Sequence, residues 1–307
     1  MSRYLLERLA SGAAVMLGVL LLVFALIHLV PGDPVEVMLG EHARPADREA
    51  LRESLGLDKP LLEQLSDYLA GLAAGDLGDS LRSRRPISAM LAERIPNTAY
   101  LAVAAFAMAI VIGVPAGLFA ATRPGTAADI GAMSVALAAV AIPNFVLGPL
   151  LVLVFSFALG WLPVSGAQSA ASIVLPALTL GTSLAAVLSR MTRSTVLEVL
   201  GQDFVRTALA KGLSRSQVVR RHALGNALLP IVTVGGLQLG ALLAGAVITE
   251  KVFEWPGIGL LLVDSIRNRD YPVVQGCVLL IAGTYVIVNT ATDLVYAWLD
   301  PRIRLRG

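Results

Sequence analysis

Few residues of this chain can do chemistry, and most of them lie at the ends of apolar runs. Four stretches contain no Asp, Glu, Lys or Arg, namely 9–32, 95–122, 130–189 and 222–249. Asp293 is the one charged residue between Asp270 and Asp300. A carboxylate inside a membrane is either a proton or cation site, or it pairs with a neighbouring helix or with an Arg at the edge. His28 either reaches the interface or acts as a ligand. Because a proton- or sodium-driven pump would carry more such groups, we expect the energy source to lie outside this chain.

The polar residues in and beside the apolar runs suggest a passage and not a catalytic centre. Asn144, Gln238 and Glu250 are candidates for lining a translocation path, although the first two are equally interpreted as hydrogen-bonding links between helices. The runs contain no converging pair of catalytic groups and no His, Cys or Met cluster, so we predict no enzyme activity and no metal site. The phosphate-loop pattern G-x-x-x-x-G-K-[ST] is also absent from the sequence. We therefore expect ATP chemistry, if the system uses it, to reside in another chain.

A polar, basic segment interrupts the second half of the chain. Residues 190–221 contain seven Lys and Arg against two acids, Glu198 and Asp203. The pattern predicts a short helix capped by Asp203 and ended by Gly212, then a second helix opened by a Ser214–Gln217 capping box. Such a helix–glycine–helix elbow fits force transmission to a soluble partner better than it fits a loop that only binds anionic lipid.

Hydropathy predicts an all-α integral membrane protein with six transmembrane helices. Of the 307 residues, 56% are hydrophobic and 15% are charged, with a mean hydropathy of +0.74. A spanning helix needs about 20 mainly apolar residues, and continuous runs favour helices over a β-barrel. The predicted spans are residues 9–30, 97–121, 131–158, 172–192, 223–249 and 273–299.

The distribution of Lys and Arg predicts that both termini and the basic segment face the cytoplasm. Thirteen Lys and Arg lie on that side of the six spans, and three lie in the short loops of the other side. The first apolar run is too long for a signal peptide, so we expect it to be retained. The predicted organisation is an N-terminal helix (1–30), an extracytoplasmic loop region (31–96), a five-helix core (97–299) that carries a cytoplasmic segment (193–222), and a cytoplasmic tail (300–307).

The extracytoplasmic loop between the first two spans is predicted to be helical. Residues 45–55 and 60–72 have helical spacing of apolar residues, the first stretch is closed by Gly56, and 75–80 is a turn cluster. The loop is then either a cap that rests on the bilayer surface or a docking surface for a protein arriving from outside. The turn formed by Trp255, Pro256 and Gly257 lies on the same side and is a second candidate for that contact.

Eight short motifs occur in order along the whole chain. They are LVPGDP (29–34), GDLG (75–78), RIPNT (94–98), VRTALAKGLS (205–214), RHALGNALLP (221–230), FEWPGIG (253–259), RDYPVVQ (269–275) and DPRIR (300–304). Each is weak alone, but their number and order together resemble the permease subunits of bacterial ABC importers of the dipeptide/oligopeptide/nickel family, in particular the dipeptide-permease B type. The resemblance implies the type I ABC importer permease fold and a place in the bacterial cytoplasmic membrane.

The resemblance also implies partners for this chain, which would be a non-catalytic subunit working by alternating access. The expected partners are a second homologous permease in a heterodimer, two cytoplasmic ATPase subunits that bind ATP and Mg, and an extracytoplasmic solute-binding protein; no cofactor and no nucleic acid is expected on this chain. The residues expected to contact the ATPases are Arg206, Thr207, Ala208, Lys211, Gly212, Leu213 and Ser214. In the broader importer signature E-A-A-x3-G, Gly212 fits but Arg206 stands where the acid is found, so the ion pair of that acid is not expected here.

The cargo is expected to be a dipeptide or an oligopeptide. Within the same architecture, the alternatives are nickel complexes and glutathione. From another class, the alternative is a stand-alone secondary transporter or channel, which would be active in liposomes without ATPases. A cavity of neutral polar and small residues would contact peptide backbones weakly, which leaves the choice of cargo to the binding protein.

Overall fold

The computed structural model describes residues 2–29, 35, 44–54, 56 and 58–299, and these residues are almost entirely helical. The helices are α1 (Ser2–Leu29), α2 (Pro45–Ser54), α3 (Leu61–Ala73), α4 (Ile87–Ala121), α5 (Ala127–Ala141), α6 (Asn144–Leu151), α7 (Val174–Leu200), α8 (Asp203–Ala210), α9 (Arg215–Val218), α10 (Leu224–Val252), α11 (Ile258–Arg267) and α12 (Tyr271–Leu299). The π-helical segments Val152–Ala158 and Val219–Ala223 extend α6 and join α9 to α10, and a 3-10 turn at Ala170–Ile173 leads into α7.

The described residues contain three to five candidate membrane spans. Three helices are long and apolar enough on their own: Ile87–Ala121, Ala170–Leu200 and Tyr271–Leu294. Two bent pairs raise the number to five if each pair is one span, namely Ala127–Ala141 with Asn144–Ala158, and Leu224–Gly240 with Gly245–Val252. The apolar part of α1, Ala10–Ala25, is shorter. The all-helical prediction is confirmed, and the count of six spans stays a prediction.

Two of the differences between the predicted spans and the helices of the structure have a clear physical cause. The span predicted at 131–158 is broken, because α5 and α6 meet at an angle of 107°. The break falls at Ile142, whose backbone is extended with ψ 117°, immediately before Pro143; a residue before proline avoids the helical region, and proline cannot donate the next backbone hydrogen bond. The helix predicted from 97 begins at Ile87, because hydropathy detects the apolar part of a helix and not its polar first turns.

Helices α4 and α7 form the centre of the molecule and pack in very close contact. A Cβ on Gly113 would lie 2.4 Å from the carbonyl oxygen of Ala185, and one on Gly117 would lie 2.3 Å from the carbonyl oxygen of Ser189. Only glycine permits this approach of two backbones, as in other membrane helix pairs with small residues at the interface. Helix α10 packs on α7, and α12 packs on α1 and α10. The α4–α7 pair therefore forms the packed centre of the described helices.

The loop before α4 has the two helices that its sequence predicts. Helix α2 ends at Ser54, Gly56 follows with φ +64°, and α3 covers Leu61–Ala73. The ring of Tyr68 on α3 lies 5.9 Å, centroid to centroid, from the ring of Phe24 on α1, and burial raises the pKa of Tyr68 to about 12. The loop is thus packed against α1. The motif at 29–34 and the tail at 300–307 lie wholly or mostly outside the described residues, as does the side chain of His28.

Asp293 forms an ion pair with the first helix. Its Oδ2 atom lies 3.1 Å from Nε of Arg8, which joins α12 to α1. Of the two interpretations of this carboxylate, pairing with a neighbouring helix is the one that the structure confirms.

Candidate coupling elbow and carboxylate joint

The basic segment folds as the predicted elbow, residues 203–223, with one correction at its first residue. Helix α8 begins at Asp203, but Gln202 occupies the N-cap position and no side chain caps the helix. Asp203 has helical backbone geometry, so its carboxylate points away from the cap site and lies 3.6 Å from Arg206 in an exposed pair. An acid in the first turn still favours the helix through the dipole. The cap assigned to Asp203 was therefore wrong, although the helix start is right.

The glycine stop between the two elbow helices is confirmed. Gly212 has φ +85°, a conformation that disfavours residues with a Cβ. Its N–H donates to the carbonyl of Leu209 at 3.0 Å, and the N–H of Leu213 donates to the carbonyl of Ala208 at 3.3 Å. These two bonds form a Schellman motif, which satisfies the last carbonyls of α8 and reverses the chain. The direction in which α9 leaves α8 therefore depends on Gly212.

The capping box that starts the second elbow helix is also confirmed. The N–H of Gln217 donates to Oγ of Ser214 at 3.4 Å, and Oε1 of Gln217 accepts from the N–H of Ser214 at 3.0 Å. Helix α9 is only one turn long and passes through the π-helical segment into α10. No loop therefore separates α9 from α10, and the elbow is continuous with the long helix that follows it.

The elbow has an apolar inner face and a polar outer face. Val205, Ala208 and Val218 are buried together, with Leu200 and Leu213 packed against them. Of the seven residues predicted to contact a partner, Ala208 is turned inward and Leu213 is half-buried. The other five are exposed, namely Arg206, Thr207, Lys211, Gly212 and Ser214. Two exposed apolar side chains on α8 were not predicted, Phe204 at 38% and Leu209 at 44% exposure; their signal was an apolar residue off the buried face of an amphipathic helix.

The second candidate site is a buried carboxylate joint centred on Glu250, at the end of α10. Glu250 is fully buried, and its Oε1 accepts a hydrogen bond from Oγ1 of Thr98 on α4 at 2.7 Å. Its Oε2 accepts from the backbone N–H groups of Gly259 at 2.6 Å and Leu260 at 3.1 Å. The first-turn amides of α11 have no partner within their own helix, and they favour a negative charge. Glu250 thus ties three helices together.

The turn 253–257 closes the carboxylate joint. Nε1 of Trp255 donates to the carbonyl of Asn97 at 2.9 Å, and Nδ2 of Asn97 donates to the carbonyl of Pro256 at 2.8 Å. A Cβ on Gly257 would lie 2.3 Å from Oε1 of Glu250. Trp255 is 6% exposed and belongs to the core, while Pro256 is half-buried. The structure thus gives this turn an internal packing role, and docking of a binding protein on Trp255, Pro256 and Gly257 stays a prediction.

A second buried carboxylate fastens the loop before α4 to the turn between α11 and α12. Oδ2 of Asp270 accepts from Oγ of Ser80 at 2.5 Å, and Oδ1 accepts from the N–H of Leu81 at 3.1 Å. Beside it, the guanidinium of Arg82 donates to the side-chain carbonyl of Asn268. Sequence reasoning missed this contact, as it missed the role of Thr98, because the partners lie far apart in the chain. The only available signal was that both segments carry recognisable motifs.

A bidentate ion pair braces the elbow end of the molecule. Nε and Nη2 of Arg193, on α7, donate to the two carboxylate oxygens of Asp129, on α5, at 2.5 and 2.7 Å. The N–H of Gly125 adds a third bond at 3.0 Å to the same carboxylate. Asp129 and Arg193 lie at the two ends of the apolar run 130–189. From that position the sequence could have predicted that the two side chains form an ion pair. The pair holds the 122–126 turn against α7.

No hydrogen bond described here joins Asn144, Gln238 and Glu250 to one another, and their role in lining a path stays a prediction. Asn144 is half-buried and accepts from Oγ of Ser183 at 3.5 Å, and Gln238 is half-buried on α10. Glu250 borders a cavity of about 130 Å³, whereas a larger apolar cavity of about 480 Å³ lies between α4, α7, α10 and α12. Within the described part of the chain, no three His, Cys, Asp or Glu side chains are arranged to hold a metal ion.

Comparisons with known proteins agree with this architecture. The family model described as "Binding-protein-dependent transport system inner membrane component" matches residues 113–305, and the model of the N-terminal part of such membrane components matches residues 1–102. The chain is 44% identical to a protein named glutathione transport system permease protein GsiC from Pectobacterium atrosepticum, and 42% identical to GsiC of Escherichia coli K12; each alignment covers 100% of both chains. A solved structure of the MetNI methionine ABC transporter in an inward-facing conformation matches with a TM-score of 0.58 at 20% identity, over 69% of this chain and 96% of that one.

These matches define the class of protein. The chain belongs to the binding-protein-dependent transport system inner membrane components: it is a permease subunit of a bacterial ABC importer of the dipeptide/oligopeptide/nickel family, and a multi-pass protein of the inner membrane. Its fold is that of type I ABC importer permeases. ATPase and solute-binding partners are expected of any such subunit.

Proposed function

We propose that this permease imports small peptides by alternating access, with glutathione as the first cargo to test. Its identity of 42–44%, over the full length of proteins named as glutathione permeases, is the observation that carries the proposal. Glutathione is a tripeptide, so this cargo lies within the peptide class expected from the motifs. Nickel complexes remain the alternative cargo in the same architecture.

The proposed complex has this chain paired with a second, homologous permease, two cytoplasmic ATPases and an external solute-binding protein. The sequence has no phosphate-loop pattern, so we assign ATP, Mg and hydrolysis to the ATPases and no catalytic role or cofactor to this chain. Both termini and the elbow are placed in the cytoplasm by the excess of Lys and Arg on that side.

The elbow is the proposed contact with the ATPases. Its five exposed predicted residues, together with Phe204 and Leu209, form a face that is both basic and apolar. An apolar side chain surrounded by polar ones suits insertion into a groove of a soluble partner. Nucleotide binding at a distance then shifts the population between two packings of the helices, because the partner binds the elbow differently in each.

Cargo passes, in this proposal, along a path bordered by Asn144 and Gln238, whose side chains remain partly accessible. Glu250 is retained as a path candidate through the cavity it borders, and the carboxylate joint gives it a second role in fixing the path wall. The loop region 31–96 and the turn at 253–257 are the proposed receptors for the binding protein.

Reconstitution tests the cargo assignment. The complete importer in liposomes should take up labelled glutathione only with ATP and the binding protein, and excess unlabelled dipeptide should compete if the specificity covers peptides in general. Uptake of dipeptides without glutathione would retain the peptide importer and reject the specific cargo. Transport by this chain alone, without ATPases, would reject the importer in favour of a channel or secondary transporter.

Single-cysteine labelling tests the proposed orientation. Cys277 is the only cysteine of the sequence and is buried, so the background is low. A cysteine introduced at the exposed Ala210 of the elbow should react with a membrane-impermeant maleimide in inside-out vesicles and not in intact cells. The opposite result would invert the topology.

A further inference from the structure

A cavity of about 500 Å³ opens where the end of α4 meets the elbow, and its lining is mainly apolar with two arginines at one side. The polar lining residues are Arg123 and Arg215, together with Thr122 and Ser216. The apolar lining includes Leu118 and Phe119, from the last turns of α4. The cavity includes the elbow residues Arg215, Ser216 and Val219, but none of the seven residues predicted to contact the ATPases and none of the carboxylate joint.

Within the part of the chain that the structure describes, no acidic side chain compensates the positive charge of this cavity. Neither Arg123 nor Arg215 forms an ion pair with any residue in the described ranges 2–29, 44–54 and 58–299. Asp129, the acid beside the 122–126 turn, has both oxygens engaged by Arg193 and Gly125. The hydroxyl of Thr122 donates to the carbonyl of Phe119, and that of Ser216 bonds to Oγ of Ser214. The two arginines, in a lining that contains no carboxylate, are therefore the donors left for an anion, and phosphate oxygens match the fork of arginine.

The apolar lining of the cavity decides between a free anion and a lipid. Phe119 is 46% exposed, and the guanidinium carbon of Arg123 lies 4.1 Å from the centroid of its ring. On the same helix, Val111 and Ile112 are exposed at 71% and 45%. An apolar surface therefore leads from the cavity along α4 into the membrane-spanning part, which suits an acyl chain and offers nothing to inorganic phosphate.

We propose that this cavity binds the phosphodiester headgroup of an anionic phospholipid, such as phosphatidylglycerol, from the cytoplasmic leaflet. The assignment to the cytoplasmic leaflet rests on the proposed orientation, in which the elbow faces the cytoplasm. Basic pockets at the cytoplasmic ends of membrane helices are suited to such headgroups. A lipid held here joins the end of α4, through Thr122 and Arg123, to the start of α9, through Arg215 and Ser216. It would brace the elbow against the central helix pair.

Photocrosslinking tests the proposal on the complete importer in nanodiscs of phosphatidylcholine. A trace of photoreactive phosphatidylglycerol should label peptides that contain residues 115–123 and 215–219, and a phosphatidylcholine probe should not. Each arginine near the surface is worth about fivefold in affinity for an anionic lipid, so the Arg123→Gln/Arg215→Gln variant should lower capture about 25-fold. The matched control, Arg190→Gln/Arg267→Gln, removes the same charge from exposed residues that do not line the cavity, and it should capture lipid as the wild type does.

Each remaining outcome overturns the proposal in a distinguishable way. Equal capture by the double variant, or equal capture of the phosphatidylcholine probe, shows that the arginines do not form a lipid site. Displacement by glycerol phosphate as effective as displacement by whole lipid assigns the cavity to a free phosphate. If the wild type captures no lipid and the double variant releases the ATPases, the occupant is an ATPase subunit. The assay needs neither cargo nor uptake, so failure of glutathione import leaves it unaffected, and a wrong orientation is detected separately by labelling at Ala210.

Discussion

The carboxylate joint and the elbow both contain a helix N-terminus, but its backbone amides are hydrogen-bonded in different ways. In the joint, a fully buried Glu250 accepts hydrogen bonds from Thr98 and from the first-turn amides of α11. In the elbow, the first turn of α9 is satisfied by Ser214 and Gln217 of the same segment, and the outer face stays exposed. In the joint, α11 is therefore capped by Glu250 of α10, and this contact fixes α11 against α10 and α4. Helix α9 of the elbow is capped within its own segment, so the exposed face of the elbow is available to the proposed partner.

This difference predicts where substitutions act. Removing a group from the joint leaves buried donors without acceptors, so the cost falls on stability. Changing the elbow alters exposed geometry, so we expect the cost to fall mainly on the proposed coupling to the ATPases. Measurements of unfolding and of uptake, made on the same variants, separate the two regions.

The largest effect is expected for Glu250→Ala. The change strands the hydroxyl of Thr98 and two amides of α11, and we expect the free energy of unfolding in mixed micelles to fall by about 4 kcal/mol. Glu198→Ala removes an exposed carboxylate of α7 and should change it by less than about 0.5 kcal/mol. A Glu250→Ala permease of normal stability that no longer transports would show that Glu250 acts in the path and not in the joint.

A smaller loss of stability is expected for Gly257→Ala. Its φ is −103°, so the backbone tolerates alanine, but the new Cβ would lie 2.3 Å from Oε1 of Glu250. Overpacking of this kind costs about 2 kcal/mol, read as a lower midpoint of unfolding. Gly225→Ala on α10 is the control, because its Cβ would meet no atom within 4 Å. Equal midpoints for both variants would mean that the joint relaxes around the added methyl group. Loss of binding-protein capture with unchanged stability would favour the docking role of the turn.

The two regions also differ in how far the sequence predicts them. The elbow follows from local rules, since Gly212, Ser214 and Gln217 each act on neighbours a few residues away, and only the cap at Asp203 was misplaced. The joint depends on Glu250 meeting Thr98, 152 residues earlier in the chain. No local rule contains that pairing, because it is set by the packing of α4, α10 and α11. The 107° bend is intermediate: Pro143 marks its position, but its angle is decided by neighbouring helices.

A smaller effect, on the coupling of ATP hydrolysis to import, is expected for Gly212→Val. No atom lies within 4 Å of a Cβ at this position, so the cost is only that of φ +85°, about 1–2 kcal/mol for a residue with a Cβ. The strain should redirect α9 and raise the amount of ATP hydrolysed per molecule imported, with membrane insertion intact. Gly212→Asn is the matched control, since Asn tolerates this conformation, and it should stay nearer to the wild type. Unchanged ATP-dependent uptake by Gly212→Val rejects Gly212 as the hinge.

The smallest effect is expected at the ion pair between Arg8 and Asp293, which belongs neither to the carboxylate joint nor to the elbow. The side chain of Arg8 is 46% exposed, and Arg8 lies before the apolar run of α1, so water at the predicted membrane edge weakens its attraction to Asp293 over 3.1 Å. A double-mutant cycle with alanine at both positions should give a coupling energy below about 1 kcal/mol. Asp293→Asn should also import cargo at a rate close to the wild type, because ATP and not a proton drives the proposed cycle. A stable Asp293→Asn complex that hydrolyses ATP but imports nothing would show that this carboxylate is a proton or cation site. The comparison of the buried joint with the exposed elbow would then have to include a third functional region, in α12.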